Sequence, residues 1–174
     1  MAFKVLDSKL VYQGRAFNVR RDQVVMPNGG SVWWDIVEHV DSIMVIPVDG
    51  EGRIWFVRQY RHPATQEVLE MPAGVLESGE SPETCAYREI REEIGMTAGK
   101  LQKIGEFFLA AGYSSEYMHV YLATDLRPDP LEADADEFLS IEKISIAEAY
   151  RMAENNQVRD AKTLAGLTLA RPYL

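Results

Sequence analysis

Residues 9 to 48 carry the pattern of strands. Leu10-Val11-Tyr12, Phe17 to Met26, Ser31 to His39 and Ser42 to Val48 are rich in β-branched and aromatic residues, which suit a pleated surface. Pro27-Asn28-Gly29-Gly30 is a hairpin signal between two of them. Ile43 to Val48 is nearly unbroken apolar sequence and predicts a core strand of the main sheet rather than a half-wet one. Asp49-Gly50-Glu51-Gly52 turns the chain into a further strand, Arg53 to Arg61, and Lys100 to Leu109, Tyr117 to Thr124 and Phe138 to Ile144 are three more. Helices are predicted from Ser81 to Gly95, from Ile146 to Asn155 and from Ala161 to Ala170, the last amphipathic through Leu164 and Leu167. The expected architecture is α/β, a mixed central sheet between helices. An N-terminal antiparallel β-ribbon would occupy residues 1–40 and the main domain 41–174.

One segment stands apart by its charge: Gly74 to Met96, GVLESGESPETCAYREIREEIGM. A Gly-rich acidic loop leads to Ser81 and Pro82, an N-cap followed by a first-turn proline, and Gly95 supplies a left-handed stop. At about 100° per residue, Glu89, Glu92 and Glu93 fall at roughly 0°, −60° and +40°, so three carboxylates crowd one side. Measured from Ala86, Ile90 lies at roughly +40°, Ile94 at roughly +80° and Glu93 at roughly −20°, which sets Glu93 inside the apolar stripe. Like charges so spaced repel by a few tenths of a kcal/mol each in water, and by more when partly buried. Two readings answer the repulsion. The helix is solvated and its acids pair with Arg88 and Arg91, or the acids face a hard divalent cation that keeps some of its waters, which describes Mg2+.

Charge and composition narrow the function classes. At 174 residues and 47% hydrophobic content, the chain makes one domain with a core of ordinary size. Lys and Arg number 18 against 27 Asp and Glu, a net charge of −9 with no basic run. Such a surface repels a polyanion and argues against nucleic acid as partner. A small anion still binds where Mg2+ and a few arginines reverse the local sign. The single cysteine, Cys85, excludes an internal disulfide framework and a cysteine metal cluster. No apolar run reaches membrane-spanning length, and MAFKVLDSKL lacks the basic start and apolar middle of a signal peptide. A soluble, cytoplasmic protein without a membrane partner is expected.

Outside the acidic helix, several residues carry candidate chemistry. Period-two alternation puts Trp33, Asp35 and Val37 on one strand face and Trp34 and Ile36 on the other. The two tryptophans either pack in two places, or one indole stacks on a nucleobase for about 1–3 kcal/mol while a polar neighbour reads the base edge. Arg61 either clamps a phosphate with two parallel N–H bonds or ends its strand paired with Glu70. Ala110 to Glu116 is a small, polar loop suited to a pocket wall. His119 sits mid-strand and reads as a core or cross-strand histidine, and neither His39 nor His62 makes a metal-ligand spacing.

Gly74, five residues, Glu80, seven residues, Arg88-Glu89-Ile90, one residue, Glu92-Glu93, one residue and Gly95-Met96 resembles the Nudix box at every fixed position. That family hydrolyses a nucleoside diphosphate linked to another group, and the box is its metal-binding loop and helix. The resemblance implies a Nudix fold and a site in which Glu89, Glu92 and Glu93 hold Mg2+, or Mn2+ as a substitute, with the backbone carbonyl of Ala73. Arg88 and Glu80 would orient the carboxylates and the loop. Arg58-Gln59-Tyr60-Arg61 and Glu70-Met71-Pro72-Ala73 are similar to segments of the ADP-ribose pyrophosphatase branch. From that branch follow Trp34 and Asp35 as base contacts, Arg61 as phosphate clamp, and Glu70 as a group behind the metal site or a ligand to the far sugar or a metal water. A homodimer is implied through the N-terminal ribbon, with the base at the seam. The acidic loop Leu131 to Glu137 would bring Glu137 to the site as general base, with Asp136 and Asp134 as rivals. Ala111 stands where the branch usually shows Pro, which loosens the assignment to ADP-ribose.

The implied reaction is Mg2+-dependent hydrolysis of the diphosphate bond of ADP-ribose or a related nucleoside diphosphate sugar, giving a nucleoside monophosphate and a sugar phosphate. Glu89 and Glu93 would bridge ions, Glu92 would bind or orient a water, and Glu137 would take its proton. GDP-mannose, a dinucleoside polyphosphate and a capped RNA end are alternative substrates, the last disfavoured by the acidic surface. A non-catalytic nucleotide-sugar sensor is the alternative of another class, and the intact box counts against it.

Overall fold

The structure, a computed structural model, describes residues 2–132 and 138–174. The chain forms two compact units, one comprising the chain up to Asp41 with Phe107–Tyr117, the other Ser42–Glu106 with Met118–Leu174.

In the first unit β1 (Lys4–Gln13), β2 (Asn18–Val25) and β3 (Ser31–Glu38) form an antiparallel sheet in that order. The predicted hairpin closes β2 on β3, with Val25 opposite Ser31 and the Met26 N–H donating to the Gly30 carbonyl at 2.7 Å. β1 starts six residues before Leu10, where the polar run Asp7-Ser8-Lys9 hides it in the sequence. Ser8 Oγ is tied to Asp22 at 2.6 Å, and two register shifts absorb the irregular pattern. The Val37 N–H donates to the Tyr113 carbonyl at 2.8 Å, and the Ser115 N–H donates to the Val37 carbonyl at 2.9 Å, which pins the 110–116 loop to β3.

The second unit is built on β4 (Ser42–Pro47), which lies parallel to β9 (Tyr117–Pro128) and antiparallel to β7 (Ala73–Val75). With β8 (Met96–Phe108) they form a mixed sheet of order β7-β4-β9-β8. A second, antiparallel sheet has the order β10-β5-β6, from Leu139–Ser145, Arg53–Arg61 and Gln66–Glu70. Every residue of β4 is buried. Ile43 and Val45 pack with Ala86 and Ile90 of α1 (Pro82–Glu93) and with Ile94 at its C-cap. Met44 and Ile46 meet α3 (Ala161–Ala170) at Gly166, where an added Cβ would overlap the Met44 side chain. A strand with a helix on each face has no wet side, which is why its sequence does not alternate. α2 (Ile146–Glu154) packs on β10 and β5.

β6 and β7 were not foreseen. Gln66-Glu67 is polar and exposed, Pro72 separates the two strands, and β7 pairs with β4 at only three positions, so neither leaves a periodic signal. The acidic helix has the ends its sequence predicts. Ser81 Oγ accepts the Thr84 N–H at 3.1 Å and Gly95 takes φ +68°, a conformation that costs a side chain and not glycine. Among the described residues no helix is long and apolar enough to cross a membrane.

Candidate active site

Three short pieces of chain assemble the acidic site. β6 ends on Glu70, Met71-Pro72 cross over to β7, and β7 leads into the loop whose far end is capped by Ser81 at the start of α1. The crossover is held to the core strand, because the Val45 N–H donates to the Pro72 carbonyl at 2.9 Å. This brings Ala73 and Gly74 against the acidic side of α1. The Ala73 N–H donates to Glu93 Oε2 at 3.3 Å, and the Glu89 carboxylate lies where a Cβ on Gly74 would be.

Arg88 is the hub. Its Nε and Nη2 each donate to a Glu80 oxygen at 3.0 Å, its Nη1 donates to Glu89 Oε1 at 2.6 Å and to Glu92 Oε2 at 2.9 Å, and Nη2 also reaches the Val75 carbonyl at 3.2 Å. One guanidinium therefore braces loop and helix together, the supporting role expected of Arg88 and Glu80. Arg91 does not share it. Its guanidinium pairs with Asp129 at 2.9 Å, 38 residues along the chain, so of the two arginines of the solvated-helix reading Arg88 is the one that meets the helix acids.

The charges do not balance. Glu80, Glu89 and Glu92 all meet the one guanidinium of Arg88, Glu93 lies beside them and acts at longer range on Arg61, and Glu89 and Glu93 are only 8% and 7% exposed. Unit charges about 4 Å apart repel by about 1 kcal/mol in water and about 4 kcal/mol near a protein surface. A divalent cation is the economical remedy, and the residues fit one. The donors are all oxygens, and Gly74 leaves the Glu89 carboxylate a cradle that any side chain would fill. Among the described residues no three acidic, histidine or cysteine side chains form a group that could hold a metal ion as they stand. Arg88 engages Glu89 and Glu92, and Glu93 is turned to the Ala73 N–H. The expected set of Ala73, Glu89, Glu92 and Glu93 is thus placed together but not closed.

Arg61 and Glu70 meet as well. Arg61 Nε and Nη2 donate to the two Glu70 oxygens, both at 2.8 Å, and Lys162 Nζ contacts Glu70 Oε2. Burial pushes the Glu70 carboxyl up, but the hydrogen bonds from Arg61 and Lys162 outweigh it and hold the group below the ordinary carboxylate range. Lys162 had no signal in the sequence, where a lysine in the first turn of a helix reads as solvated. Trp33 and Trp34 lie in the first unit, 42% and 43% exposed, with Trp34 tilted against Phe3 at 5.7 Å and Lys9 over Trp33. Asp35 is held by Arg21 at 2.6 Å. His119 is buried mid-strand, 3.3 Å from Glu106, as a cross-strand histidine should be. Glu137, Asp136 and Asp134 fall outside the described residues. The chain just before them is tied to the end of α1, the Asp129 N–H donating to the Gly95 carbonyl at 3.0 Å and the Leu131 N–H to the Arg91 carbonyl at 3.1 Å. A cleft of about 480 Å³ is lined by Arg58, Gln66, Glu67, Asn156 and Arg159 among others, and by none of the expected site residues.

The Arg88 fork and the Glu77 N–H hold the Glu80 carboxyl down at about 2, against an ordinary 4.5. With the folded value depressed, this stabilisation is complete above pH 4.5 and is lost as pH falls toward 2. The thermal midpoint of the wild type should drop through that window. Glu80→Gln should flatten the drop, and a variant titrating as steeply as wild type would show that Glu80 is not the coupled group.

A model of the NUDIX domain matches residues 38–167, and one of the nucleoside diphosphate sugar hydrolase N-terminal domain matches residues 3–33. An ADP-ribose pyrophosphatase of Bacillus subtilis is 37% identical over 162 residues, covering 92% of this chain and 88% of that protein. An ADP-ribose pyrophosphatase of Mycobacterium tuberculosis is 37% identical over 170 residues, covering 95% and 81%. Among solved structures, a crystal structure of ADP compounds hydrolase superposes with a TM-score of 0.90 at 25% identity, covering 100% of this chain and 95% of that one. With the box loop and helix folded as above, the chain belongs to the Nudix hydrolase family, in its branch of ADP-ribose pyrophosphatases and nucleoside diphosphate sugar hydrolases.

Proposed function

We propose that this hydrolase splits the diphosphate bond of ADP-ribose or a closely related nucleoside diphosphate sugar, with Mg2+, into a nucleoside monophosphate and a sugar phosphate. The observation that carries the reading is the assembly of Glu89, Glu92 and Glu93 beside Ala73 and Gly74 around a single arginine. The two ADP-ribose pyrophosphatase relatives, each aligned over more than nine-tenths of this chain, support the substrate class.

Bound among these oxygens, Mg2+ supplies neutralisation of the phosphates and a water of lowered pKa. The chain's own residues do the rest. Glu89 and Glu93 would hold the cation, and Glu92 would bind or orient the attacking water. Glu137 takes the proton, from a loop whose start is anchored at the end of α1. Arg61, its fork set by Glu70, clamps a phosphate. Trp34 stacks on the base while Asp35 reads its edge. The ribbon β1–β3 joins two copies, since Val5, Leu6, Leu10 and Val11 of β1, with Phe3 just before it, are exposed apolar side chains.

Turnover on ADP-ribose, ADP-glucose, GDP-mannose, UDP-glucose and a dinucleoside polyphosphate, run in oxygen-18 water, tests the reading. One preferred nucleotide sugar, split into monophosphate and sugar phosphate, is expected, and the label marks the attacked phosphorus. Tight binding of one compound without turnover in Mg2+ would overturn it. Trp34→Ala should raise KM about tenfold at nearly constant kcat, the loss of one base stack. An unchanged KM would remove Trp34 from the base site.

A further inference from the structure

We propose that Lys162 is a positioning residue for the substrate phosphate: from the first turn of α3 it shares the Glu70 carboxylate with Arg61, and so keeps Arg61 oriented and electropositive. The inference rests on the assignment of Arg61 as phosphate contact.

Lys162 is in the wrong place for any local reason. A cation in the first turn of a helix opposes the helix dipole, and a lysine only 9% exposed is rare without a partner. Both costs are met by two anions. Its ammonium contacts Glu70 Oε2 and lies 3.0 Å from Asp160 Oδ2. The same Glu70 oxygen accepts Arg61 Nη2, while Oε1 accepts Arg61 Nε. Arg61 Nη1 makes no hydrogen bond among the described residues, and the side chain is partly exposed. The anchor is doubled next door. Thr163 Oγ1 accepts the Met71 N–H at 2.9 Å and donates to Asp160 Oδ2 at 2.7 Å, and the Thr163 N–H donates to the same oxygen at 2.9 Å. One turn of α3 thus fixes both the carboxylate behind Arg61 and the main chain that leads to Ala73.

The charge balance gives Lys162 its role. Glu70 and Asp160 are matched by Arg61 and Lys162. Glu93 and Asp160 also act on Arg61 at longer range. Remove Lys162, and the one positive charge left to the group is cancelled by Glu70 and outweighed by its neighbours, so an approaching phosphate meets net repulsion. Stability alone would be served as well by apolar side chains in this place.

The test is steady-state kinetics with Mg2+ on ADP-ribose, or on GDP-mannose if that is the compound turned over. Calorimetric binding of α,β-methylene ADP-ribose accompanies it. Lys162→Met should raise KM and Kd about tenfold with kcat within about threefold, and Lys162→Arg should recover most of the loss. In an Arg61→Gln background Lys162→Met should have no further effect. Asp160→Asn keeps an acceptor for the Thr163 N–H but frees Lys162 for Glu70, and should lower KM about twofold; it carries the test if Lys162→Met does not fold. An unchanged KM in Lys162→Met beside a raised KM in Arg61→Gln would overturn the role of Lys162 and leave Arg61 in place. Unchanged KM in both would overturn Arg61 as well. Multiplying effects in the double variant, or a raised KM in Asp160→Asn, would mark Lys162 as structural only.

Discussion

Glu93→Gln should lower kcat by about 10³-fold or more while leaving the protein as stable as wild type or more so. The carboxylate sits on the apolar stripe of α1, nearly out of solvent, and accepts the Ala73 N–H of β7. Glutamine has the same size and its carbonyl oxygen still accepts that bond. What disappears is one negative charge beside Glu89 and Glu92, on a helix whose Arg88 is already engaged by Glu80, Glu89 and Glu92. Losing it relieves repulsion of about 1 kcal/mol and removes one of the two nearly buried carboxylates that would hold the cation. A residue whose neutralisation stabilises the fold and stops the reaction is kept for the reaction. Single-turnover rates at saturating Mg2+, set beside thermal unfolding of the same samples, check both halves. Full turnover with unchanged metal dependence would take Glu93 out of the site, and a large drop in stability would make it structural.

What could be read in the sequence was whatever is encoded locally. Ser81-Pro82 and Gly95 delimit α1, Pro27 to Gly30 makes the hairpin, and the unbroken run Ile43 to Val48 announces a strand covered on both faces, because each of these is a contact between near neighbours or a backbone preference. The same holds for the box, whose acids and arginine lie within one helix and one loop. Relations across long stretches of chain were not legible. Arg91 reads as a partner for helix acids but finds Asp129, and Lys162 reads as solvated but is buried on Glu70, 92 residues away in sequence. β6 has no signal before it in the sequence because the chain reaches it through the His62–Ala64 turn with Thr65 at φ 54°, a left-handed residue with no glycine to advertise it. For Arg61 two readings were open, phosphate clamp or partner of Glu70. The geometry makes them compatible, since the fork that holds Glu70 leaves Nη1 over.

Gly74→Ala should cost activity about 10²-fold without costing stability. Gly74 sits in β7 opposite Ile43, and its backbone is not in the left-handed region, so alanine suits the strand and even reduces the freedom of the unfolded chain. The methyl has nowhere to go except into the Glu89 carboxylate. That carboxylate is the end of a flexible side chain, so it yields and the backbone does not. It swings aside, which disturbs its bond from Arg88 Nη1 at 2.6 Å and moves it from the position in which it would meet the cation. A displacement of about 1 Å at a reacting centre is enough for a hundredfold loss in rate, and the Mg2+ concentration for half activation should rise about tenfold. Excess Mg2+ should then restore part of the rate in Gly74→Ala and none in Glu93→Gln, since the first variant misplaces a ligand and the second deletes one. Wild-type rate and wild-type Mg2+ dependence in Gly74→Ala would mean that the cation does not use the Glu89 oxygens, and the site would have to be rebuilt on Glu92 and Glu93.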